Sequence, residues 1–212
     1  MVRSLGRVSR YSLRGLLLGM TACCLAMGAW STYVKPFRDQ ATSLEKLAQL
    51  GMSTESVSAD GPPWQRWLVE TMVHPTAFMH VVRADLRPRP LSAAEVQVLA
   101  GLAHLDELYL DRSELDAAGA ALVGGFQNLR TLSLTYTGLD DDEFASIAAL
   151  PSLKTLYLTG NPVSARSADG MRAMQELDTL YVRWTALSPE DAAALRQSMP
   201  HCRVVHHALE SE

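Results

Sequence analysis

From residue 81 towards the C-terminus, the apolar positions of this chain fall into one frame that returns every 24 residues. Blocks beginning at Leu105, Leu129, Leu153 and Leu177 each open apolar-x-x-apolar-x-apolar, through Leu108/Leu110, Leu132/Leu134, Leu156/Leu158 and Leu180/Val182. Counting back gives a weaker copy at Val81, Ala84 and Leu86. Counting forward gives a truncated one at His201, with Val204 at the fourth position. Positions four and six of the frame predict one buried face of a short strand, and positions three, five and seven point to the other side.

The second half of each block reads as a helix. Its eleventh position is aliphatic (Leu91, Leu115, Leu139, Val163, Leu187), and its twelfth is an N-cap residue: Ser92, Asp116, Asp140, Ser164, Ser188. A side chain of this kind accepts a hydrogen bond from an otherwise unpaired backbone N–H, worth about 1 kcal/mol. Glu95, Glu143 and Asp191 follow three residues on, at capping-box spacing. Pro189 takes the first helical position, where its missing N–H costs nothing. Positions sixteen and nineteen then bury one helical face, as in Val96/Leu99, Phe144/Ile147 and Ala192/Leu195. Strand, turn, capped helix and return make a β–α coil.

Leu-x-x-Leu-x-Leu with an aliphatic residue five positions later resembles the leucine-rich repeat, and the resemblance runs from residue 81 to about 206. It implies an α/β solenoid, a short curved stack of strand–helix units. On that reading residues 81–200 hold five repeats and residues 201–212 a terminal edge strand and tail. One departure stands out. The family's usual asparagine, at the ninth position, reads Arg89, Ser113, Thr137, Asn161 and Thr185 here.

The repeats have an Arg-rich leader ahead of them. Residues 1–14 carry Arg3, Arg7, Arg10 and Arg14, and residues 15–34 carry no charge, about the length a helix needs to cross a bilayer core. The excess of basic residues before this run places the N-terminus in the cytoplasm and the repeats on the extracytoplasmic side of a single-pass protein. Trp30 and Tyr33 sit where an interfacial aromatic belt is expected. Two alternatives remain: a signal-peptidase site at Ala26-Met27-Gly28 and a loose lipoprotein box at Met20-Thr21-Ala22-Cys23. With this leader the whole chain is similar to small membrane-anchored bacterial leucine-rich-repeat proteins. Cys23 and Cys24 are then small apolar residues facing lipid or a neighbouring helix.

Residues 35–80 read as a linker and N-terminal cap, because a solenoid needs its open apolar end covered. Asp39–Leu50 is expected to be a helix ended by Gly51, with Leu44, Leu47, Ala48 and Leu50 on its apolar side. Ser53–Asp60 is polar and reads as a loop or one strand. After Gly61-Pro62-Pro63, residues Trp64, Trp67 and Leu68 recur at helical spacing. They read as part of the cap, with a tryptophan-based ligand site as the sharper alternative.

Charge narrows the function. Residues 1–38 carry six basic residues and no acid, and the rest carry 13 basic against 23 acidic, so +6 and −10 sum to −4. A body this acidic argues against nucleic acid as the partner. Three cysteines, two of them adjacent, make no disulfide scaffold. Cys202-x-x-x-His206-His207 is the nearest approach to a metal pattern, and it lacks a second cysteine. Asp140-Asp141-Asp142-Glu143 begins at an N-cap column and lacks the glycine and alternating ligands of a calcium loop. No phosphate-binding Gly-rich loop and no Gly-x-Ser-x-Gly elbow occur. The sequence therefore nominates no catalytic, cofactor-binding or metal-binding residue and no small-molecule substrate.

A binding face is nominated instead. The fifth column reads Asp85, Tyr109, Ser133, Tyr157, Tyr181. The seventh reads Arg87, Asp111, Thr135, Thr159, Arg183, and the eighth Pro88, Arg112, Tyr136, Gly160, Trp184. Tyr, Trp and Arg are the side chains enriched at energetic hot spots. The expected concave protein-binding residues are Tyr109, Arg112, Tyr136, Tyr157, Tyr181, Arg183 and Trp184. Five strands give a face of roughly 300–400 Å², enough for a peptide or loop. The expected function is a membrane-tethered, non-catalytic module that binds a protein or peptide. The rival is an envelope scaffold that assembles with itself or with other envelope proteins.

Overall fold

The computed structural model describes residues 24–49, 51–73, 79–86, 93–102 and 104–206. The basic segment 1–14, the first part of the uncharged run with Cys23, the N-cap Ser92, the concave Arg87 and Pro88, and also Leu91, Arg89, His74 and His207 lie outside the described residues.

Seven strands form a single sheet in chain order. β1 (Ser53–Ser58) pairs antiparallel with β2 (Met79–Asp85), with a register irregularity at Glu55/Ser56. From there β3 (Glu107–Tyr109), β4 (Thr131–Ser133), β5 (Thr155–Tyr157), β6 (Thr179–Tyr181) and β7 (Arg203–Val205) are all parallel to β2. Leu108 pairs with Leu132, Leu132 with Leu156, and Leu156 with Leu180, each partner 24 residues on (132 − 108 = 24). The frame read along the chain is thus the pairing register across the sheet. Each crossover carries a helix: α4 (Ala93–Leu99), α5 (Ala117–Val123), α6 (Asp141–Ile147), a 3₁₀ turn (Ala165–Ser167) running into α7 (Ala168–Ala173), and α8 (Pro189–Ser198).

The core lies between sheet and helices. Columns one, four, six and eleven are buried from Leu105 to Leu187, and Phe144, Ile147, Met171 and Leu195 meet them from the helices. Burial of a Leu side chain contributes about 1.5–3 kcal/mol, so one coil cannot hold itself together without the next. The N-caps act as their residue types dictate. Asp116 accepts from the Gly119 N–H at 2.7 Å. Asp140 and Ser188 form capping boxes with Glu143 and Asp191, and Ser164 caps the 3₁₀ turn.

The N-terminal region differs from its sequence reading in two ways. The helix expected to start at Asp39 begins at Lys35, as α2 (Lys35–Gln49), directly after the helical residues 24–33 (α1). Pro36 explains the break between them: it has no N–H to donate back into α1, and its fixed φ suits a first turn. The buried stripe of α2 is Phe37, Gln40, Ser43 and Leu47 rather than a purely aliphatic one. Gln40 is needed where the β1–β2 register is irregular. Its amide donates to the Met79 carbonyl and accepts from the Val81 N–H at 3.3 Å. Ser43 is small because Gly101 packs so close that a Cβ there would overlap its hydroxyl.

The second difference concerns α3 (Pro63–Met72). Its buried residue is Val69, in a small cluster with Phe37 and Ala59. Trp64 and Trp67, expected within the cap, are 52% and 65% exposed. At 100° per residue Val69 lies about 140° from Trp64 around the helix, so burying Val69 turns both indoles outward. Leu47 of α2, which joins the main core, covers the open end of the stack instead.

No helix among the described residues is long and apolar enough to cross a membrane. The described part of the expected anchor is α1, whose Leu25, Met27, Trp30 and Tyr33 are exposed.

Candidate functional site: the concave strand face

The backbone ladder that builds this face runs beyond the formal strands. Leu110 N–H donates to the Ser133 carbonyl at 2.9 Å and Arg112 N–H to the Thr135 carbonyl at 2.8 Å. The same bonds recur from Leu134, Tyr136, Leu158 and Gly160 to the next coil. Column eight ends the ladder in left-handed backbone: Arg112 φ 60°, Tyr136 φ 57°, Gly160 φ 75°, Trp184 φ 52°. Non-glycine residues adopt that region at a cost. Here Arg112 and Tyr136 keep their N–H groups in the ladder while their side chains, like that of Trp184, are thrown outward. Arg112 is exposed, Tyr136 is 47% exposed and Trp184 65%.

Two aromatic pairs result. Tyr157 and Tyr181, adjacent in column five, stack with centroids 4.4 Å apart and planes within 6°. Tyr136 and Trp184, two coils apart, lean together over Gly160 to a centroid distance of 6.4 Å and an interplanar angle of 24°. Tyr109 stands at the other end of column five. Its hydroxyl donates to Glu107 Oε2 at 3.1 Å, and the Arg83 guanidinium lies 4.7 Å from its ring centroid. Burial, then the hydrogen bond to Glu107, push the Tyr109 phenol above its ordinary range. Burial and then Tyr181 do the same for Tyr157. Both phenols stay protonated donors at neutral pH.

Column seven is more committed internally. Asp111 accepts from the Ser133 hydroxyl and from the Thr135 N–H, the latter at 3.0 Å. Arg183 is half-buried, and its Nε is buried without a hydrogen-bond partner. Of the seven nominated residues, the structure brings Tyr157 together with Tyr181 and Tyr136 together with Trp184. Tyr109 pairs instead with Glu107 and Arg83. The sequence reading passed over column three, where Arg83 and Glu107 form an ion pair at 3.4 Å beside Tyr109. The signal was present, since position three shares the face of positions five and seven.

Asn161 at the ninth position is buried and holds two coils together. Its Oδ1 accepts from the Thr137 N–H at 3.0 Å and the Leu139 N–H at 3.2 Å. Its Nδ2 donates to the Leu134 and Leu158 carbonyls. Thr137 and Thr185 bond back to their own turns, at Leu134 and Val182, and the buried Ser113 hydroxyl has no partner.

Most of the remaining polar side chains bond within the fold, while the buried His80 Nδ1 has no hydrogen-bond partner. Asp141 reaches the next coil, accepting from Ser164 and Ser167, and Asp142 meets Arg166 at 3.1 Å. Cys202 is buried, which pushes its thiol up to about 11, and the buried His206 ring meets the Leu187 carbonyl at 2.9 Å. His80 packs between Phe37 and His104, and burial first, then His104, lower its pKa while Asp60 opposes them. Among the described residues no group of three or more His, Cys, Asp or Glu is placed to hold a metal ion.

Comparison with known proteins places the repeats. Residues 103–163 match the family model described as leucine rich repeat. No curated protein sequence matches the chain. Among solved structures the fold is similar to internalin C2 from Listeria monocytogenes, at 12% identity and a TM-score of 0.35, over 61% of this chain and 75% of that one. The match over residues 103–163 falls within the parallel sheet and crossover helices, so leucine-rich repeats are supported for that part of the chain.

Proposed function

We propose that this chain is a non-catalytic binding module, tethered to a membrane through residues 15–34, that recognises a protein or peptide on its concave strand face. Leucine-rich repeats in general mediate protein–protein binding. The observation that carries the finer reading is the pre-stacked aromatic surface. Tyr157 and Tyr181 fix each other's rings, and Tyr136 and Trp184 present large, half-exposed faces beside them. A partner docking there loses little side-chain freedom from the receptor, which lowers the entropic cost of binding. The backbone N–H and C=O groups beneath are engaged in the ladder, so recognition falls to ring faces, phenol donors and the Arg83–Glu107 edge. The leader's basic-then-uncharged pattern supports the tether and the extracytoplasmic placement of the repeats.

Site-specific photocrosslinking tests the face. A benzophenone side chain at Thr159, on the concave side, is expected to trap a partner in intact cells. The same group at Ala121, on an exposed helix surface, is expected to trap none. The opposite pattern contradicts concave recognition and favours the scaffold reading.

A further inference from the structure

We infer that α3 lies in the interfacial layer of a lipid bilayer, with its Trp64–Trp67 face against the boundary between headgroups and acyl chains. The inference rests on the membrane tether proposed above, and its grounds lie in the N-terminal helices.

Trp64 and Trp67 lie about 140–160° around α3 from the buried Val69, with Thr71 between them and Leu68 and Met72 flanking Trp64 on one side, and both indoles and Met72 are exposed. The charges of α3, Arg66 and Glu70, pair with each other at 2.8 Å off that face. The face is therefore uncharged and mostly apolar, with the two indole N–H groups and the Thr71 hydroxyl, which donates to the Trp67 carbonyl, as its polar groups. Tryptophan of this kind, apolar in body with one donor, is favoured at the membrane–water boundary. A short amphipathic helix lies in the plane of that boundary when one face is apolar and aromatic.

Continuity with the leader selects lipid as the occupant. The uncharged run 15–34 ends at Trp30 and Tyr33, both exposed on α1. The Tyr33 ring meets Trp64 edge-on at a centroid distance of 5.1 Å. The ring at the end of the apolar run and the first indole of α3 thus stand at one level, where an aromatic belt forms. The repeats then begin close to the bilayer surface rather than at the end of a free linker.

Fluorescence quenching by lipid bromines tests this on the full chain reconstituted into phosphatidylcholine/phosphatidylglycerol vesicles brominated near the headgroup end of the acyl chains. In W30F/W184F only Trp64 and Trp67 emit, and in W64F/W67F/W184F only Trp30 does. Both proteins are expected to lose emission in brominated vesicles relative to unbrominated ones. Quenching of Trp30 with none of Trp64 and Trp67 overturns the placement of α3 and leaves the tether standing. Quenching of neither overturns the tether and the placement with it. Short-wavelength, unquenched emission from Trp64 and Trp67 that grows with the protein-to-lipid ratio means a second copy covers the face, and it also overturns the inference.

Discussion

The Tyr136 ring lies over Gly160, so close that a Cβ built on the glycine would sit inside contact distance of three ring carbons. Gly160 also has φ +75°. An alanine there would meet a left-handed backbone, costing about 1–2 kcal/mol, and a ring that must move. Gly160→Ala is expected to lower stability by about 2 kcal/mol and to break the Tyr136–Trp184 stack. Urea unfolding reads the first effect and the near-ultraviolet circular dichroism of the folded protein the second. Arg112→Gly, at φ 60° with no such overlap, is the control. Relief of backbone strain offsets the entropy of the glycine, and stability should stay within about 0.5 kcal/mol.

Asn161→Ala removes the partner of two buried N–H groups and two carbonyls at once. Each buried polar group left unpaired costs about 1–3 kcal/mol, less whatever relaxation and water recover. A loss of about 3 kcal/mol is expected by denaturant unfolding. Thr185→Val gives up one hydroxyl bond to its own turn and should cost about 1 kcal/mol. Equal losses would mean that Asn161 does not bridge the coils.

Much of this arrangement is legible in the sequence, and the exceptions have physical reasons. Leu132 and Leu156 announce their depth because a one-sided strand repeats its apolar residues at fixed spacing. Asp140 and Ser188 announce helix starts because few side chains can cap. Gln40 and Ser43 gave no such sign. They are polar residues buried by the irregular β1–β2 pairing and by close packing on Gly101, both tertiary events. The outward turn of Trp64 and Trp67 also escaped, since helical spacing shows that a stripe exists and not which way it faces. Column eight was found as an aromatic column, but its left-handed backbone was legible only at Gly160. Tyr136 and Trp184 are not residues from which positive φ is inferred.

Leu132 is fully buried in the middle of the stack. Leu132→Asp places a carboxylate there with no partner, a change worth more than about 4 kcal/mol. Because each coil is buried by its neighbours, the effect should spread. Hydrogen exchange is expected to accelerate in β3 and β5 as well as in β4. Exchange confined to β4, or an unchanged melting curve, contradicts the assigned register.

Acid should loosen the contact between the third and fourth complete coils. Burial raises the Asp141 pKa, but hydrogen bonds from Ser164 and Ser167 outweigh it and hold the carboxyl below its ordinary 3.8. A group depressed in the folded state contributes stability that is fully present above its unfolded pKa and is lost as pH falls through the folded value. Unfolding midpoints measured from neutral pH down through the carboxylate range should therefore fall less steeply in Asp141→Asn than in the native chain. The variant should also be the less stable of the two at neutral pH. Parallel curves would mean that the serine hydroxyls do not bond the ionised group.

The concave face is tested most directly by affinity capture from a membrane extract. The full chain is compared with a variant in which Tyr109, Tyr157 and Tyr181 are all alanine, once both give the same cooperative unfolding transition. A protein retained by the native chain and lost from the variant is the predicted result, and it identifies the partner. Equal recovery of the same proteins by both chains would contradict recognition through the tyrosine column.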